Sequence, residues 1–576
     1  MRSLTVVVPA ALLMAGLSPQ ASAQCQLAEL HSAIPGAPFG FGEPLGLSDD
    51  WVVVGSQMMN EQIYQTFQRM GDVWVAREVL VPRVGTTFST RMDFRERTLA
   101  IGLGDDGTYG QIDPNAPNPA GEVEVYDVAI PGGFPVVTLT PSDGVAAQGF
   151  GSSLDVGQDR IIVGSPFAPA PGDSLPGTDP LPSGGPNSLP FFPGGFAGAA
   201  YVYERSGTTW VETAILRLAN SDDFVQFGEG VAVDGERIAV GASQSPFVLL
   251  GGPGGGIIAP PTGIVGGEIH VYDKRGPDWV HAKVIKGANL GLSLVTRTVV
   301  LEGDTIVCAA FLESTDPFNE PAVNVVASFR LGSGGWALEQ VIRPTDAQTF
   351  DRFGTSLDLR AGKLIVSSPA AGGTGSAEGA AYLFERVGGT WMQTGRIQPG
   401  GQPLQESFGR TVAVTSQLAA VGDSGLGMQV PAQPGAAFIY GIGANCNSGS
   451  ARPYCTAALN STGRSATLRE AGSSFSVSAG EFSLGVTGAP GGSAGILIAG
   501  DRAAYAPFGN GFRCVGNVHR VGPAGIDAGG SALIGVDVLG ELGPAALATT
   551  WNFQLVYRDG ASGWNTTDAL AVEFVP

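Results

Sequence analysis

The sequence predicts an all-β protein: a seven-bladed β-propeller followed by a C-terminal β-sandwich-like domain. Three observations lead to this prediction. A Phe-Gly pair and a Val-Gly pair recur at a fixed offset, the segments around them alternate like short strands, and one end of the array supplies a strand that the other end lacks.

The repeat occurs in seven copies, and in each the Val or Ile follows the first residue of the copy at an offset of thirteen positions. Six copies pair Phe41 with Val54, Phe88 with Ile101, Phe150 with Val163, Phe227 with Val240, Phe353 with Val366, and Phe408 with Val421. A degenerate copy links Leu294 to Val307. Each copy then carries a strand-ending aromatic, and in five copies a Trp follows it seven residues later, at Trp74, Trp210, Trp279, Trp336 and Trp391.

Each copy has the pattern of four short strands, predicted in the third copy over 151–156, 160–164, 199–204 and 210–216. One such unit cannot bury both of its faces, so it must stack on its neighbours. Radial stacking forms a propeller, and linear stacking forms an open solenoid, which is the alternative.

The two ends of the array favour the closed ring. The outer strand of a blade ends with an apolar residue eleven positions before the next Phe, as Leu216 does before Phe227, and Leu30 lies eleven before Phe41. The last copy ends after Tyr440 without an outer strand. We therefore expect residues 24–30 to supply it, which removes the exposed edges of an open array.

Three runs carry a specific family resemblance: FGSSLDVGQDRIIVGSP with GAAYVYERSGTTWVETAIL, FGEGVAVDGERIAVGAS with GEIHVYDKRGPDWVHAKVI, and FGTSLDLRAGKLIVSSP with GAAYLFERVGGTWMQTGRI. They resemble FG-GAP repeats, the family related to the integrin alpha propeller, over residues 24–443. The resemblance implies a propeller that serves binding or adhesion. Metal-binding members of this family have an Asp-rich loop between the first two strands of a blade. The corresponding turns here are as short as Gly157-Gln158-Asp159. Calcium needs several oxygen ligands, so none is expected there.

The phasing stops near Asn445, and a Gly-, Ser- and Ala-rich region follows over 444–576 with apolar runs at 495–499, 532–538 and 551–557. An antiparallel β-sandwich fits this pattern best. The stretches YCTAALNSTGRSATL and WNFQLVYRDGASGWNTTDALAVEFVP resemble a C-terminal module of exported proteins from planctomycete-like bacteria.

The N-terminus predicts export. An apolar stretch from Leu4 to Leu17 leads to Ala21-Ser22-Ala23, so residues 1–23 are expected to be a signal peptide. The alternative is a lipoprotein modified at Cys25. That modification needs a small residue at the preceding position, which is Gln24 here. No later stretch is long and apolar enough for a membrane span, and 52 acidic against 31 basic residues give a net charge of −21. We therefore expect no nucleic-acid partner and no membrane insertion.

Four of the five cysteines are candidates for disulfides: Cys25, Cys446, Cys455 and Cys514. Cys455 with Cys514 would pair within the C-terminal module, and Cys25 with Cys446 would lock the shared blade. The competitor is a local bond between Cys446 and Cys455. Cys308 occupies a Gly position of the repeat and is expected to be a buried free thiol.

The sequence contains no recognisable catalytic or metal-binding motif, so no catalytic residue, metal site or cofactor is expected. The histidines His31, His270, His281 and His519 have no HxH or HExxH spacing, and His270 aligns with Tyr201 and Tyr382 as a strand residue. The Gly-rich runs lack the Lys of a phosphate loop.

The connection between the second and third strands varies most in length among the copies. Its long versions lie at 104–120, 166–198 and 244–266, on one face of the disc. They supply the candidate ligand-binding residues Asp105, Asp106, Tyr109, Phe191, Phe192 and Phe247. Solvated turns or disordered Pro/Gly-rich spacers explain these segments equally well.

The sequence therefore predicts a secreted or cell-surface protein that binds an extracellular protein or glycan through propeller-face loops. An extracellular glycan-active enzyme with its site at the channel is the first alternative, and aligned polar residues converging on the channel would favour it. A structural protein of an envelope layer is the second.

Overall fold

The structure is a computed structural model that describes residues 24–573 apart from 35–39, 59–60, 71–72, 83–90, 104–120, 145–147, 170–196, 219–224, 244–266, 313–322, 349–350, 372–378, 399–407, 426–434, 443–450, 456, 472–481, 544–549 and 561–562. The expected signal peptide, residues 1–23, lies outside the described residues.

The regular secondary structure of the described chain is almost entirely β, and its first part forms seven four-stranded antiparallel sheets, one for each repeat. Blade 1 contains β2 (Leu45–Leu47), β3 (Trp51–Met58), β4 (Glu61–Met70) and β5 (Val73–Leu80). Blade 2 contains β6 (Arg91–Arg95), β7 (Thr98–Leu103), β8 (Glu122–Asp127) and β9 (Val137–Leu139). Blade 3 contains β10 (Ser153–Val156), β11 (Arg160–Ser165), β12 (Ala199–Ser206) and β13 (Thr209–Leu216).

The remaining blades repeat this order. Blade 4 contains β14 (Val231–Asp234), β15 (Arg237–Ala242), β16 (Glu268–Arg275) and β17 (Asp278–Lys286). Blade 5 contains β18 (Leu292–Glu302), β19 (Thr305–Leu312), β20 (Val323–Gly332) and β21 (Gly335–Ile342). Blade 6 contains β22 (Leu357–Arg360), β23 (Lys363–Ser368), β24 (Ala380–Val387) and β25 (Thr390–Ile397).

Blade 7 is shared by the two ends of the array, as the sequence predicts. Its inner strands are β26 (Phe408–Val414), β27 (Leu418–Asp423) and β28 (Ala436–Ile442), and its outer strand is β1 (Gln24–Leu30). The pairing of β1 with β28 is antiparallel and places Gln24 opposite Ile442 and Leu30 opposite Ala437. The N-terminal strand therefore covers the edge that β28 would otherwise expose.

The seven sheets form a closed ring. The innermost strands contact one another in the order β2, β6, β10, β14, β18, β22 and β26, and β26 contacts β2. The open solenoid is excluded, because its first and last units would not touch.

The Gly of the Val-Gly pair in one blade contacts the Gly of the Phe-Gly pair in the next blade, at each junction where both pairs keep their glycine. A Cβ on Gly164 of blade 3 would lie 2.0 Å from the carbonyl oxygen of Gly228 in blade 4, which has a positive φ of 90°. Gly422 of blade 7 would likewise place a Cβ 2.0 Å from the oxygen of Gly42 in blade 1. The same close approach therefore joins neighbouring blades and closes the ring.

Blade 5 contains the degenerate copy. The Leu294 carbonyl accepts a hydrogen bond from Gly267 N at 3.2 Å, and Cys308 is a fully buried free thiol, as expected from its place in the repeat. The ladder between β18 and β19 is irregular between Val295 and Val300, and this distortion accompanies the missing Phe-Gly pair.

The C-terminal residues form two facing sheets and a hairpin. A five-stranded sheet contains β29 (Ala451–Tyr454), β32 (Ala494–Gly500), β35 (His519–Gly525), β37 (Thr550–Arg558) and β38 (Trp564–Glu573). A three-stranded sheet contains β30 (Thr467–Glu470), β31 (Phe482–Thr487) and β36 (Ala532–Val536), and the hairpin contains β33 (Arg502–Phe508) and β34 (Gly511–Gly516).

Apolar side chains from the two larger sheets form one core, which includes Leu484, Ile534 and Phe553. This arrangement is consistent with the expected β-sandwich. Cys455 and Cys514 are joined by a disulfide in this region, and Cys446 lies outside the described residues.

The C-terminal region packs on the shared blade. Strand β29 contacts β1, and the imidazole of His31 stacks on the Tyr505 ring with 3.5 Å between ring centroids. His31 Nε2 also lies 2.9 Å from Glu29 Oε1. The strand that closes the ring is therefore also the strand against which the C-terminal region rests.

Two short helical segments occur in the described chain, a 3-10 turn at Ala288–Leu290 and a π-helical turn at Val538–Leu542. Neither is long and apolar enough to span a bilayer, and the same holds for every described helix.

Candidate functional site

Tight and long connections lie on opposite faces of the ring, because every blade is antiparallel. The first and second strands are joined by turns of two or three residues, such as 157–159 and 235–236. The second and third strands are joined on the other face, which we call the loop face, and these connections extend to 104–121, 166–198 and 243–267. The loop face is thus the variable face, as the sequence predicts.

The six candidate ligand-binding residues belong to these long connections. Asp105, Asp106, Tyr109, Phe191, Phe192 and Phe247 all lie outside the described residues, and their roles stay predictions.

The centre of the ring contains a cavity of about 260 Å³ that all seven blades line through their innermost strands. Its wall carries both acidic and basic side chains, among them Asp93, Asp155, Asp358, Arg297 and Arg360. None of these residues is among those predicted from the sequence.

Arg360 bridges the ring near the face that carries the tight turns. Its Nη2 donates to the Phe94 carbonyl oxygen at 2.8 Å and lies 3.9 Å from Asp93 Oδ1, while its Nε lies 3.4 Å from Asp358 Oδ1. Because Arg360 is in blade 6 and Phe94 is in blade 2, this side chain joins blades that are not neighbours.

The three aspartates also join neighbouring blades. Asp93 accepts from the backbone N of Val156 at 2.7 Å, and Asp155 accepts from that of Val233 at 2.6 Å. Asp358 does the same for Val414 at 2.7 Å. Each carboxylate therefore ties its own inner strand to the inner strand of the next blade.

Enclosure by protein alters the acidity of this cluster. Burial raises the pKa of Asp155 well above its ordinary value, and the nearby Asp93 raises it further. Burial also raises the pKa of Asp358, although the Arg360 guanidinium opposes the shift. Paired carboxylates of this kind, one of them holding its proton more tightly, are typical of acid-base chemistry as well as of structural ties.

A sequence signal for the cluster exists. Asp93, Asp155 and Asp358 each lie five residues after the Phe of their repeat. Aligning the copies on Phe would have found three carboxylates at one position of the innermost strand, where side chains are directed toward the axis.

Two ion pairs with exposed arginines lie near the starts of the inner strands, away from the tight turns. Arg297 Nε lies 2.8 Å from Glu229 Oε1, and Arg410 Nε lies 3.0 Å from Glu43 Oε2. The repeats begin their inner strands at this end, so these pairs lie on the loop face. Exposed ion pairs contribute little stability.

A second polar cluster lies on the face of blade 4 that packs toward blade 3. His270 Nδ1 and His281 Nε2 are 3.2 Å apart, although no HxH or HExxH spacing connects these histidines in the sequence. No group of three or more His, Cys, Asp or Glu side chains suited to a metal ion occurs within the described residues.

Comparison with known families identifies one repeat in the chain. Residues 336–384 match the FG-GAP repeat family model. The matched segment runs from Trp336 in the outer strand of blade 5 to Phe384 in the third strand of blade 6, so one sequence repeat straddles two blades. A repeat with these limits begins with the outer strand of the preceding blade. The first repeat therefore begins with β1, which is the outer strand of blade 7. No curated protein matches the chain.

Solved propeller structures are among the similar folds. The WD40 domain of Toxoplasma gondii coronin is 9% identical, with a TM-score of 0.39 and coverage of 74% of this chain and 88% of that chain. The β-propeller domain of the Trilobed protease from Pyrococcus furiosus is 9% identical, with a TM-score of 0.31 and coverage of 60% and 80%.

A post-proline cleaving enzyme from Rickettsia typhi is 11% identical, with a TM-score of 0.34, and the match covers 78% of this chain and 57% of that one. The architecture rests on the sheet order and ring closure described above rather than on these distant similarities. The chain is an all-β propeller protein in which residues 336–384 match the FG-GAP repeat.

Proposed function

We propose that this protein is a secreted or cell-surface binding protein that recognises an extracellular protein or glycan through the loop face. The observation that carries the proposal is the contrast between the two faces. Turns of two or three residues join the first two strands of every blade. The loop-face connections vary in length, and the segment 59–60 is the shortest and 166–198 the longest. Length variation on one face of a rigid scaffold is a common way to build a binding surface.

The scaffold under the loop face is rigid for identifiable reasons. The ring has no free sheet edge at its closure, and carboxylates of Asp93, Asp155 and Asp358 tie successive inner strands. The strands at both ends of each long connection are therefore held in fixed positions, which limits the entropy that binding costs.

The experiment is a binding screen with residues 24–576 against a glycan array and a panel of extracellular proteins. A variant in which a short Gly-Ser linker replaces 170–196 should lose at least tenfold in affinity for the ligand found. Phe134→Ser is the matched control, because Phe134 is the most exposed large hydrophobic among the described residues and lies in a connection on the opposite face.

Ligand binding that depends on Phe134 and not on 170–196 would contradict the proposal. Self-association of the chain into sheets or filaments, without a soluble ligand, would instead support the structural role.

A glycan-active enzyme is the second candidate, and the channel cluster is the observation in its favour. The polar residues that would favour this alternative do converge at the axis, where burial and the neighbouring Asp93 raise the pKa of Asp155. A general acid with a raised pKa beside a second carboxylate is the arrangement found in glycoside hydrolysis. A screen of polysaccharides with the wild-type protein and Asp155→Asn tests it, and cleavage that survives the substitution would exclude Asp155 as the acid.

A further inference from the structure

The histidine pair of blade 4 is a feature that the propeller fold does not require. His270 lies on β16 and His281 on the neighbouring strand β17, and their rings stack at an angle of 28° with centroids 5.3 Å apart. The corresponding residues of blade 3 are Tyr201 and Glu212, and those of blade 6 are Tyr382 and Gln393. Blade 4 alone among these three has imidazoles at both positions.

The nitrogen positions suit a shared metal ion. His270 Nδ1 and His281 Nε2 are 3.2 Å apart. Two nitrogens bound to one ion at about 2.0–2.1 Å lie roughly 2.8–3.4 Å apart at square-planar or tetrahedral angles. The observed separation is within this interval.

The other ring nitrogen of His270 has the surroundings of a ligand imidazole. Nε2 is buried and has no hydrogen-bond partner among the described residues, and its nearest anion is Glu268 Oε2 at 3.7 Å. Histidines that bind metals through one nitrogen commonly direct the N–H of the other toward a carboxylate. Glu268 is held in place by Lys286, whose Nζ lies 2.6 Å from Oε1.

The two histidines differ in access. His270 is only 5% exposed and packs edge-on against Phe227 with ring centroids 5.6 Å apart, whereas His281 is exposed. An ion can therefore approach from solvent on the His281 side.

We propose that His270 Nδ1 and His281 Nε2 form a binding site for a divalent transition metal ion, with Cu²⁺ bound most tightly and Ni²⁺ and Zn²⁺ more weakly. Imidazole ligands suit these ions, and their affinities follow that order. The described protein supplies two ligands, so water or a bound ligand completes the coordination. This proposal is independent of the loop-face function.

The test is titration of residues 24–576 with Cu²⁺ alone, followed by calorimetry and by electron paramagnetic resonance. We expect one ion per chain and a spectrum with two coupled nitrogens. His281→Gln should weaken binding at least tenfold and leave one nitrogen in the spectrum, and His270→Tyr should do the same. Both substitutions copy residues that blades 3 and 6 already carry, so the fold should be retained.

His519→Gln is the matched control, since His519 is an exposed histidine in the C-terminal region, and it should leave Cu²⁺ binding unchanged. Glu268→Gln should weaken binding roughly tenfold and keep the two-nitrogen spectrum, because Glu268 orients His270 without touching the ion. A wild-type affinity equal to that of His281→Gln, or a spectrum with a single nitrogen, would overturn the proposal.

Discussion

At the scale of single residues, the channel cluster combines structural ties with an unfavourable burial of charge. Asp155 accepts the Val233 N–H and lies close to Asp93, and its pKa is raised above the ordinary value of 3.8. Between that value and the raised pKa, the folded state binds more protons than the unfolded state. The free energy of unfolding therefore falls as pH rises through this interval.

Asp155→Asn should consequently stabilise the protein at neutral pH by about 1 kcal/mol, the usual scale of a charge optimisation. The Asn oxygen can still accept the Val233 N–H, while the buried charge is removed. The advantage should be present above the raised pKa and vanish below about pH 3.8, where Asp155 is protonated in both states. Urea unfolding at several pH values measures this.

Asp159→Asn serves as its control, because Asp159 is exposed in the adjacent turn, and stability should change by less than about 0.5 kcal/mol. A destabilised Asp155→Asn at neutral pH would mean that attraction to Arg360 outweighs the cost of burial.

The glycines of the repeat make a second prediction at this scale. Gly164→Ala should destabilise the protein by about 1–3 kcal/mol, since the added Cβ would lie 2.0 Å from the Gly228 carbonyl oxygen and the two blades must separate. Gly332→Ala is the control, because a Cβ there meets nothing within 4 Å. Thermal melting of both variants decides, and equal melting temperatures would show that the junction is loose.

At the scale of strands, the closing blade depends on a single contributed strand. Strand β1 pairs with β28 along its length and also contacts β29 of the C-terminal region. Its buried residues Ala28 and Leu30 join a core with Phe41 and Ile439. Loss of β1 therefore removes the outer strand of blade 7, part of the core and the support of the C-terminal region together.

Deleting residues 24–30 should unfold or oligomerise the protein, because β28 becomes an exposed edge strand. Size-exclusion chromatography and thermal melting measure the effect. Addition of a peptide with the sequence of 24–31 should restore a monomer if the missing edge is the cause. A monomeric deletion variant with an unchanged melting temperature would contradict the importance of this closure.

At the scale of the whole molecule, one prediction concerns calcium. The turns between the first two strands of the blades have two or three residues, and the acidic side chains near them already accept backbone N–H groups, as Asp234 does from Gly303 at 2.7 Å. Such turns supply too few free oxygens for a calcium cage. Removing calcium with a chelator should therefore leave the melting temperature unchanged, and a loss of more than about 10 °C would refute this.

A second prediction for the whole molecule concerns the lock on the ring. Because Cys455 is bonded to Cys514, the competing bond between Cys446 and Cys455 is not formed in the structure. Cys25 lies opposite Gly441 in the closing blade, and Gly441 precedes Cys446 by five residues. We still expect a bond between Cys25 and Cys446, which would close a loop of about 420 residues and contribute on the order of 5 kcal/mol in the chain-entropy model.

Peptide mapping without reduction should recover Cys25 linked to Cys446. The Cys25→Ser variant should melt at a lower temperature than the wild type, whereas Cys308→Ser serves to check that the buried thiol takes no part. A free thiol at Cys446 in the oxidised protein would exclude the lock.

The sequence by itself determined the features that recur. Seven spacings of thirteen residues predict seven blades, the missing strand after Tyr440 predicts the role of 24–30, and the Cys308 position predicts a buried thiol. These succeed because a repeat fold is held together by nearest-neighbour contacts, so every copy reports the same local requirements.

Only the tertiary structure decided which non-recurring residues meet. Arg360 and Phe94 are 266 residues apart in the chain, and no spacing rule connects them until the ring closes. His270 and His281 meet because a register shift between Val271 and Tyr272 places Tyr272 opposite His281, and no standard metal motif has that spacing. Strand periodicity determines which side chains share a face, whereas ring closure and ladder irregularities determine which of them touch.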